Sequence, residues 1–425
     1  MDLFKQAELA LEVLIAQGFE DAHVSTNQTY LDELNVEHDE PSLLRSSRQQ
    51  QLKLIGLFDN RRASVELSDC KDETIRQAAA TMFVNVQTSP QDAAHAVSEQ
   101  QRCEIIKGPQ TGDMDLLAAK VSELLKFRAE KSPKMHLSAA FCSYTHMLRR
   151  EVTSRGTDLR ARIGAYGLMA CGLARDNTGS SSFDIAEGSC EDIAVLPATE
   201  WFGIGDMLRQ TERQIRTQGI KGKFTGDVVF APNAVASILT WLIGQLGDTQ
   251  LISGSSIYMN RVGESIASSL LSIRSHFDGA GVYPITADAY QAKPFTLLES
   301  GSLQTLLPSL YGSGKTGIAH TPSLIDNWSI DAGSQPVNEM ISNILQGALV
   351  NRLSMGMPGS NGDFSAVIKC SFLISDGEVG PALSEVMISG NMGELLQNVV
   401  GVSAERIDRG VNFLPWIRVA GLHFS

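Results

Sequence analysis

The segment Tyr311–Gly317 carries the Gly-Lys-Thr triplet with which nucleotide-binding loops hold phosphate groups. Such a loop also requires a glycine five positions before Gly314, and Ser309 occupies that position. The residues that follow, Ile318–Ser323, do not have the pattern of an apolar helix. A second glycine-containing segment, Asp278–Gly281, lacks the third glycine and the preceding buried strand of a dinucleotide-binding fingerprint. We therefore expect no nucleotide cofactor.

Thiol and imidazole side chains are the next candidates for catalysis or metal binding. Cys142 and His146 form the closest Cys/His pair in the sequence. On a strand they would share a face but stand about 13 Å apart, at about 3.3 Å per residue. That separation is too large for a shared zinc ion or a thiolate–imidazole pair. The 6 cysteines include no Cys-x-x-Cys pair, so we expect free thiols in a reducing compartment.

The charge balance argues against nucleic acid as the main ligand. The formal net charge is −13, whereas proteins that bind a duplex place Lys and Arg against its phosphates. The densest basic cluster spans residues 146–162 and has the pattern of two strands joined at Ser154–Gly156. We expect its arginines on a solvated face, with capture of an anionic ligand as the alternative. These arginines are Arg149, Arg150, Arg155, Arg160 and Arg162.

The apolar segments predict no membrane span and no signal peptide. The N-terminal residues 1–21 have apolar side chains at helical spacing and lack a basic region before them. The uncharged run around residues 234–246 is interrupted by Pro232, Asn233 and Gln245. It is therefore shorter than the roughly 20 apolar residues of a membrane-spanning helix. We expect a cytoplasmic protein.

The segment Ala234–Leu246 predicts a half-buried helix without catalytic groups. At about 100° per residue, apolar side chains fall on one stripe, and small or polar side chains with one aromatic fall on the other. The apolar stripe consists of Val235, Ile238, Leu239, Leu242, Ile243 and Leu246. The second stripe consists of Ser237, Thr240, Trp241, Gly244, Gln245 and Asp248. The helix has no His, Glu or Cys for binding zinc or acting as a general base, but its second stripe is suited to line a groove or an interface.

Patterns along the chain predict an α+β fold in two parts. A compact break at Gly219–Gly226 separates an N-terminal mixed α/β domain, residues 1–220, from a C-terminal antiparallel β-rich domain with interspersed helices, residues 221–425. Alternation with two apolar faces predicts a central strand at Ala366–Ile374. Tight hairpin turns are expected at Asp59-Asn60, Ser300-Gly301 and Asp376-Gly377. Further helices are expected at Asp72–Val84, Asp113–Lys131, Trp201–Gly219 and Pro336–Leu353.

In order and spacing, four C-terminal segments resemble the TldD/PmbA family, once labelled modulators of DNA gyrase and now regarded as peptidases. The segments are Phe277–His320, Asp326–Trp328, Gly362–Asn391 and Asn412–Gly421. The resemblance is strong over about residues 220 to 421 and weaker but collinear over the N-terminal half. It implies the two-part TldD/PmbA-like fold.

The resemblance also implies which kind of family member this chain is. TldD-type chains carry H-E-x-x-x-H on a helix and a later cysteine, which bind a catalytic metal. PmbA-type chains, also called TldE, lack these ligands and pair with a TldD-type chain in a heterodimeric peptidase that acts on short or unfolded peptides. Here Thr240 and Gln245 stand at the histidine positions and Trp241 at the glutamate position, and Arg409–Trp416 contains no cysteine. The resemblance therefore implies a PmbA-type chain without catalytic or metal-binding residues, with zinc on a TldD-type partner.

Function is expected to lie in peptide binding beside a partner chain. As a hypothesis from its mixed face, the helix lines a peptide groove between the two chains, with Trp241 as a wall. The candidate groove residues are Ser237, Thr240, Trp241 and Gln245. Which peptide is bound does not follow from the residues, and the acidic composition gives no support for a link to DNA gyrase.

Two alternatives stay open. The chain could be a homodimeric protein that binds peptides or another small ligand, and the lack of an H-E-x-x-x-H relative in the same genome would favour that. It could also be a hydrolase that uses unrelated Ser or Asp groups, which cleavage persisting in a strong chelator would favour.

Overall fold

A computed structural model describes residues 3–384 and 386–425 of the chain. Strands of the N-terminal half form one sheet, strands of the C-terminal half form a second sheet, and helices pack against both. This confirms the predicted α+β arrangement. No helix in the described part of the chain has the length and apolar character needed to cross a membrane.

Local side chains stabilise both ends of helix α3 (Met114–Lys131). The Asp113 side chain accepts hydrogen bonds from the amides of Asp115 and Leu116 at its start, and Arg128 and Lys131 lie in its last turn. The helices are α1 (Leu3–Gln17), α2 (Asp72–Val86), α3 (Met114–Lys131), α4 (Ile204–Glu212), α5 (Pro232–Leu246), α6 (Asp248–Ser253), α7 (Leu310–Thr316), α8 (Val337–Ser342) and α9 (Met392–Gln397).

The N-terminal sheet is built from two long hairpins. Its strands are β1 (Asp21–Glu37), β2 (Glu40–Phe58), β3 (Arg61–Leu67), β4 (Arg102–Lys107), β5 (Met135–Thr153), β6 (Asp158–Asp176), β7 (Gly179–Ser180) and β8 (Asp184–Cys190). The strand order is β3-β2-β1-β5-β6-β4, and β7 and β8 also pair with β6. The register between β1 and β5 places Ser25 opposite Glu151 and Asn27 opposite Arg149, so polar residues of both strands share one face.

The C-terminal sheet contains strands β9 (Thr217–Gln218), β10 (Phe224–Phe230), β11 (Ile273–Ser275), β12 (Thr296–Glu299), β13 (Ser302–Leu303), β14 (Trp328–Ile330), β15 (Gln346–Ser354), β16 (Asp363–Ser375), β17 (Glu378–Leu383), β18 (Met387–Asn391), β19 (Val399–Asp408) and β20 (Asn412–Phe424). The order along the sheet is β13-β12-β11-β14-β20-β10-β15-β16-β17-β9. Pairing is mostly antiparallel, with parallel pairs at β10–β15, β14–β20 and β17–β9. The two sheets divide the chain between β8 and β9, and β9 precedes the predicted boundary at residue 220.

The two halves touch on the face of the N-terminal sheet that α1–α4 leave uncovered. The helices cover the opposite face through two apolar clusters. On the uncovered face, Ile163 packs with Ile285 and Ala289 of the C-terminal half. The Arg149 guanidinium carbon lies 4.3 Å from the centre of the Tyr283 ring. The edge of this contact is where a pocket forms.

All three hairpin turns predicted from dipeptides are confirmed. Asp59 and Asn60 have φ angles of 50° and 57°, and Ser300 and Gly301 have 46° and 79°. Asp376 and Gly377 have 50° and 81°. Positive φ at both central residues is what a two-residue hairpin turn needs to follow the twist of its strands.

Two predicted helices are too long. The Trp201–Gly219 prediction was wrong at its C-terminal end, because α4 ends at Glu212 and β9 follows. The Pro336–Leu353 prediction was wrong after α8, because Gln346–Ser354 is strand β15. In the second case, β15 pairs with β10 on one side and with β16 on the other, and this pairing determines the conformation of residues 346–354. Such neighbours override the local pattern of the segment.

Candidate functional site

Helix α5, which carries the predicted groove residues, is a core element of the C-terminal half. It begins after the last residues of β10 with Pro232 in its first turn, where proline costs no hydrogen bond. Its side chains Val235, Ile238 and Leu242 belong to the main apolar cluster of this half. The helix ends at Leu246, and Gly247 continues in extended conformation.

The four predicted groove residues do not share one open surface. Ser237 is half-buried, and Thr240 is exposed. Trp241 and Gln245 are only 4% and 3% exposed. The structure therefore brings Ser237 and Thr240 to the surface and places the other two inside the chain.

Trp241 is covered by the segment that follows α6 and by the turn before β16. Its ring meets the ring of Tyr258 edge-on, with centroids 6.1 Å apart and planes at 76°. A Cβ atom on Gly362 would lie 3.2 Å from the indole Cζ2. The indole Nε1 and the Tyr258 hydroxyl have no hydrogen-bond partner within the described residues. Burial raises the pKa of Tyr258 to about 12. Within this chain Trp241 is an internal packing residue.

Hydrogen bonds of the Gln245 side chain connect α5 to the same two segments that cover Trp241. Its Nε2 donates to the Ser360 carbonyl at 3.3 Å. Its Oε1 accepts from the Ile257 amide, also at 3.3 Å. Both ends of the amide therefore have backbone partners inside the chain.

These side chains do not fit a divalent metal ion. The Thr240 hydroxyl donates to the Ala236 carbonyl at 3.0 Å, and both ends of the Gln245 amide have partners. An indole N–H is a donor only, so Trp241 offers no lone pair. Zinc is bound by thiolate, imidazole or carboxylate groups. Throughout residues 3–384 and 386–425, no three His, Cys, Asp or Glu side chains stand together as potential metal ligands.

A pocket of about 530 Å³ lies between the two halves of the chain. Its floor is the face of the N-terminal sheet formed by β5, β6 and β8, and its wall is the turn between β19 and β20. This volume is in the range of ligand-binding sites. Polar lining residues are Ser143, Thr145, Glu187, Ser189, Arg409 and Asn412. Apolar lining residues are Phe141, Met147, Ile163, Ala165, Leu168 and Val411.

The wall of the pocket is a turn that hydrogen bonds hold on both sides. Arg409 N donates to the Asn412 carbonyl at 2.8 Å. Across the domain contact, Ser189 N donates to the Arg409 carbonyl at 3.0 Å. Gly410 has a φ of +78°, and a Cβ there would lie 2.6 Å from the Ala280 carbonyl oxygen. Only glycine satisfies both conditions, so the turn holds Arg409 in a defined position.

Arg409 is the half-buried cation of this pocket. Its Nη1 donates to Asn233 Oδ1 in the first turn of α5. Its Nε is buried without a hydrogen-bond partner among the described residues. Burial lowers the pKa of Arg409 from its ordinary value, and the charges of Glu187 and Asp184 oppose that shift. Arg409 was not predicted as a pocket residue, because a lone arginine in a hairpin turn has no distinguishing pattern in the sequence.

The arginine cluster of the β5–β6 hairpin differs from the expected solvated face. Arg150 is only 3% exposed. It pairs with Asp158 at 2.8 Å and with Glu8 at 2.7 Å. Arg155 pairs with Asp21 at 2.8 Å. The expectation of a solvated face is therefore wrong for Arg150, because these arginines are neutralised by carboxylates from α1, β1 and β6.

The Gly-Lys-Thr segment forms a contact between the halves. Lys315 Nζ lies 3.0 Å from Asp92 Oδ2, and the Tyr311 hydroxyl donates to the same oxygen at 2.7 Å. Ser309 caps the short helix α7 by accepting from the Gly312 amide at 3.0 Å. The lysine that a phosphate loop would direct at its ligand is thus paired with a carboxylate of the N-terminal half.

Comparisons with known proteins find similarity to metalloproteases, including PmbA. Residues 222–425 match the family model described as the PmbA/TldA metallopeptidase C-terminal domain. The metalloprotease PmbA of Escherichia coli O157:H7 is 22% identical over 96% of this chain and 94% of its own length. A metalloprotease of Methanothermobacter thermautotrophicus is 29% identical over 60% of this chain and 59% of its own length.

Solved structures agree with the fold. TldE from Thermococcus kodakarensis superposes with a TM-score of 0.86 at 18% identity, covering 99% of this chain and 100% of that one. This likeness extends over both halves, including the N-terminal half that lies outside the matched family model.

Proposed function

Because the chain belongs to the TldD/PmbA family, we propose that it is a non-catalytic subunit of a heteromeric metallopeptidase that degrades or processes short or unfolded peptides. The metal and the hydrolytic groups come from a TldD-type partner, on which we expect zinc. This chain contributes binding surface. Its thiols are unpaired, which suits the reducing cytoplasm.

This proposal rests mainly on the side chains that α5 carries at the positions that the resemblance assigns to the metal-binding motif. Trp241 is 4% exposed and packs against Tyr258. Gln245 is hydrogen-bonded at both ends to backbone. Replacing these side chains with an acid and an imidazole would bury polar groups in a packed core, which is costly without partners. The helix therefore favours packing over metal chemistry.

Binding remains available to a chain without a metal. The interdomain pocket has hydroxyl, amide and guanidinium groups beside apolar side chains, a mixture suited to peptide backbone and small side chains. The hairpin β1–β2 extends beyond β3, so that residues 40–51 of β2 pair with a strand on only one side. Such an edge can accept an extended segment of another chain.

The test is co-purification with a TldD-type chain. Zinc content and cleavage of an unfolded peptide are measured for each chain alone and for the mixture. We expect a stable complex, zinc in proportion to the TldD-type chain, and cleavage that a chelator abolishes. As a control, the TldD-type chain with its motif glutamate replaced by glutamine should form the complex without activity. Stoichiometric zinc on this chain alone, or cleavage by it alone, would contradict the proposal.

A second candidate is a homodimeric ligand-binding protein without a catalytic partner. The observation favouring it is that the two halves of one chain already form a pocket of about 530 Å³, a volume in the range of ligand-binding sites. Ligand binding by the isolated chain, with no complex formed with any TldD-type chain, would favour this candidate.

A further inference from the structure

The interdomain pocket leaves apolar side chains of both halves partly in contact with solvent. Phe141 and Met147 of β5 line the pocket and are half-buried. Val411, in the turn between β19 and β20, lines it from the other half and is 43% exposed. Contact between such surfaces and an apolar group of a ligand is favourable, because both are removed from water. These three side chains therefore favour an apolar ligand group.

The backbone of the pocket floor is occupied by hydrogen bonds within the sheet. Strand β6 lies between β5 and β8, and Gly167 pairs with Ser143 on one side and with Ser189 on the other. Its N–H and C=O groups therefore point along the sheet toward the neighbouring strands and not into the pocket. A ligand that reaches the floor meets the face of the sheet, where recognition depends on shape and apolar contact.

Small residues on the floor leave room beside the Phe141 ring. A Cβ atom at Gly167 would lie 3.8 Å from Cε2 of Phe141 and 2.8 Å from Oγ of Ser143. Ala165, two residues earlier and therefore on the same face of β6, adds only a methyl group to the lining. The space above these residues is bordered by the larger side chains of Phe141 and Met147, and the pocket volume of about 530 Å³ exceeds that of a single side chain.

The charged groups of the pocket offset each other. Within the described part of the chain, the charged side chains that line it are Arg409 and Glu187. The charge of Glu187 acts on Arg409 and favours its protonated form. An acidic ligand group would be attracted by Arg409 and opposed by Glu187, and a basic group would experience the reverse. Neither charged group gains the full attraction that would repay the loss of its hydration, so the pocket favours an uncharged group.

We propose that the interdomain pocket binds an apolar side chain of a peptide, such as that of leucine, against Phe141, Met147 and Val411. This inference rests on the proposed peptide-handling function and specifies which kind of residue this subunit selects. Thr145 and Ser189 line the pocket and carry hydroxyls that can bond the peptide groups on either side of the selected residue. Folded proteins bury most of their large apolar side chains, so a pocket of this kind selects unfolded peptide.

The first test compares four probes on the full-length chain by isothermal titration calorimetry. The probes are acetyl-Ala-Xaa-Ala-amide peptides in which the central residue is leucine, alanine, glutamate or lysine. The leucine probe should bind at least about tenfold more tightly than the alanine probe, because it buries additional apolar surface. The glutamate and lysine probes should bind no more tightly than the alanine probe. A leucine probe that binds no better than the alanine probe would overturn the proposal, and so would a charged probe that binds more tightly than the leucine probe.

The second test uses variants whose folding is checked by thermal melting. Phe141→Ala should weaken binding of the leucine probe at least about fivefold. Phe183→Ala is the matched control and should bind as the wild type does, because Phe183 is 41% exposed and lies outside the pocket lining.

A variant at the rim decides if Phe141→Ala does not fold. Val411 is exposed, and substitutions at exposed positions usually change stability little. Val411→Asp should also weaken binding of the leucine probe at least about fivefold, because a charged side chain replaces part of the apolar contact surface. Unchanged affinity for the leucine probe in either folded pocket variant contradicts the proposal.

Failure of this inference and failure of the proposed function have different signatures. A complex with a TldD-type chain that forms while the leucine and alanine probes bind equally removes only the side-chain site. Selective binding of the leucine probe by a chain that forms no such complex removes only the heteromeric subunit role.

Discussion

At the scale of single residues, the chemistry of α5 is decided by what surrounds each side chain. Trp241 fills the space between Tyr258 and the turn at Gly362. A carboxylate at position 241 would be buried in that space, and burial of a charge without a partner is strongly unfavourable. Thr240, one residue earlier, is exposed, and substitutions at exposed positions usually change stability little. Neighbouring positions of α5 are therefore expected to differ sharply in their tolerance of substitution.

This contrast predicts the effect of truncating each residue. Trp241→Ala should lower the free energy of unfolding by about 3–5 kcal/mol, because it removes a buried aromatic side chain and leaves a cavity. The matched variant Thr240→Ala should change it by less than about 0.5 kcal/mol. Urea denaturation followed by circular dichroism measures both. A Trp241→Ala variant of wild-type stability that abolished peptide turnover by the reconstituted pair would instead support Trp241 as a groove wall.

Asp158 predicts a pH dependence of stability. Burial alone would raise the pKa of Asp158, but hydrogen bonds and charge from Arg150 and Arg160 lower it to about 2. A carboxyl whose pKa is lowered by folding stabilises the native state above its unfolded pKa, and that contribution disappears as the pH falls through the folded pKa. Asp158→Asn should therefore be less stable than the wild type at pH 7, with the difference shrinking between about pH 4 and pH 2. Denaturation curves at pH 7 and pH 2.5 test this, and a difference independent of pH would contradict it.

At the scale of elements, the parts that were predictable are those with local causes. Asp59-Asn60 and Asp376-Gly377 specify their turns because few residues accept positive φ at both positions. Residues 346–353 were mispredicted because their conformation is set by β10 and β16, which are distant in sequence. For the same reason the burial of Gln245 could not be read from helical periodicity, since the covering residues Ile257 and Ser360 lie on other segments.

The turn of the β16–β17 hairpin allows a test of whether a glycine with positive φ determines the local conformation. Gly377 has a φ of +81°, and a Cβ there would lie 2.5 Å from the Ser342 carbonyl oxygen. Gly377→Ala should therefore destabilise the protein by about 1–3 kcal/mol. Gly222→Ala is the control, because a Cβ at that position meets nothing within 4 Å. Chemical denaturation measures the free energy of unfolding of both variants, and equal stabilities would show that the turn relaxes without cost.

At the scale of the whole molecule, the site is a product of how the halves meet. The floor of the pocket comes from β5, β6 and β8, and Arg409 comes from the last hairpin of the chain. Neither half contains the pocket alone. The sequence indicated the family and both sheets, but a pocket assembled from residues 141 and 409 has no signature in a linear pattern. Whatever the pocket binds should therefore also strengthen the contact between the halves, since a ligand that binds only the assembled form stabilises it.

The contact between the halves predicts how the protein unfolds. Arg149 stacks on Tyr283 with 4.3 Å from the guanidinium carbon to the ring centre, and Ile163 packs with Ile285 beside it. Removing the ring should weaken the coupling between the sheets more than it weakens either sheet. We expect one calorimetric transition for the wild type and two for Tyr283→Ala. Phe224→Ala, which removes a ring stacked at 4.4 Å on Phe424 inside the C-terminal sheet, should lower the melting temperature without splitting the transition. A single transition in the Tyr283→Ala variant would mean that other contacts, such as the pair of Lys315 and Asp92, suffice to hold the halves together.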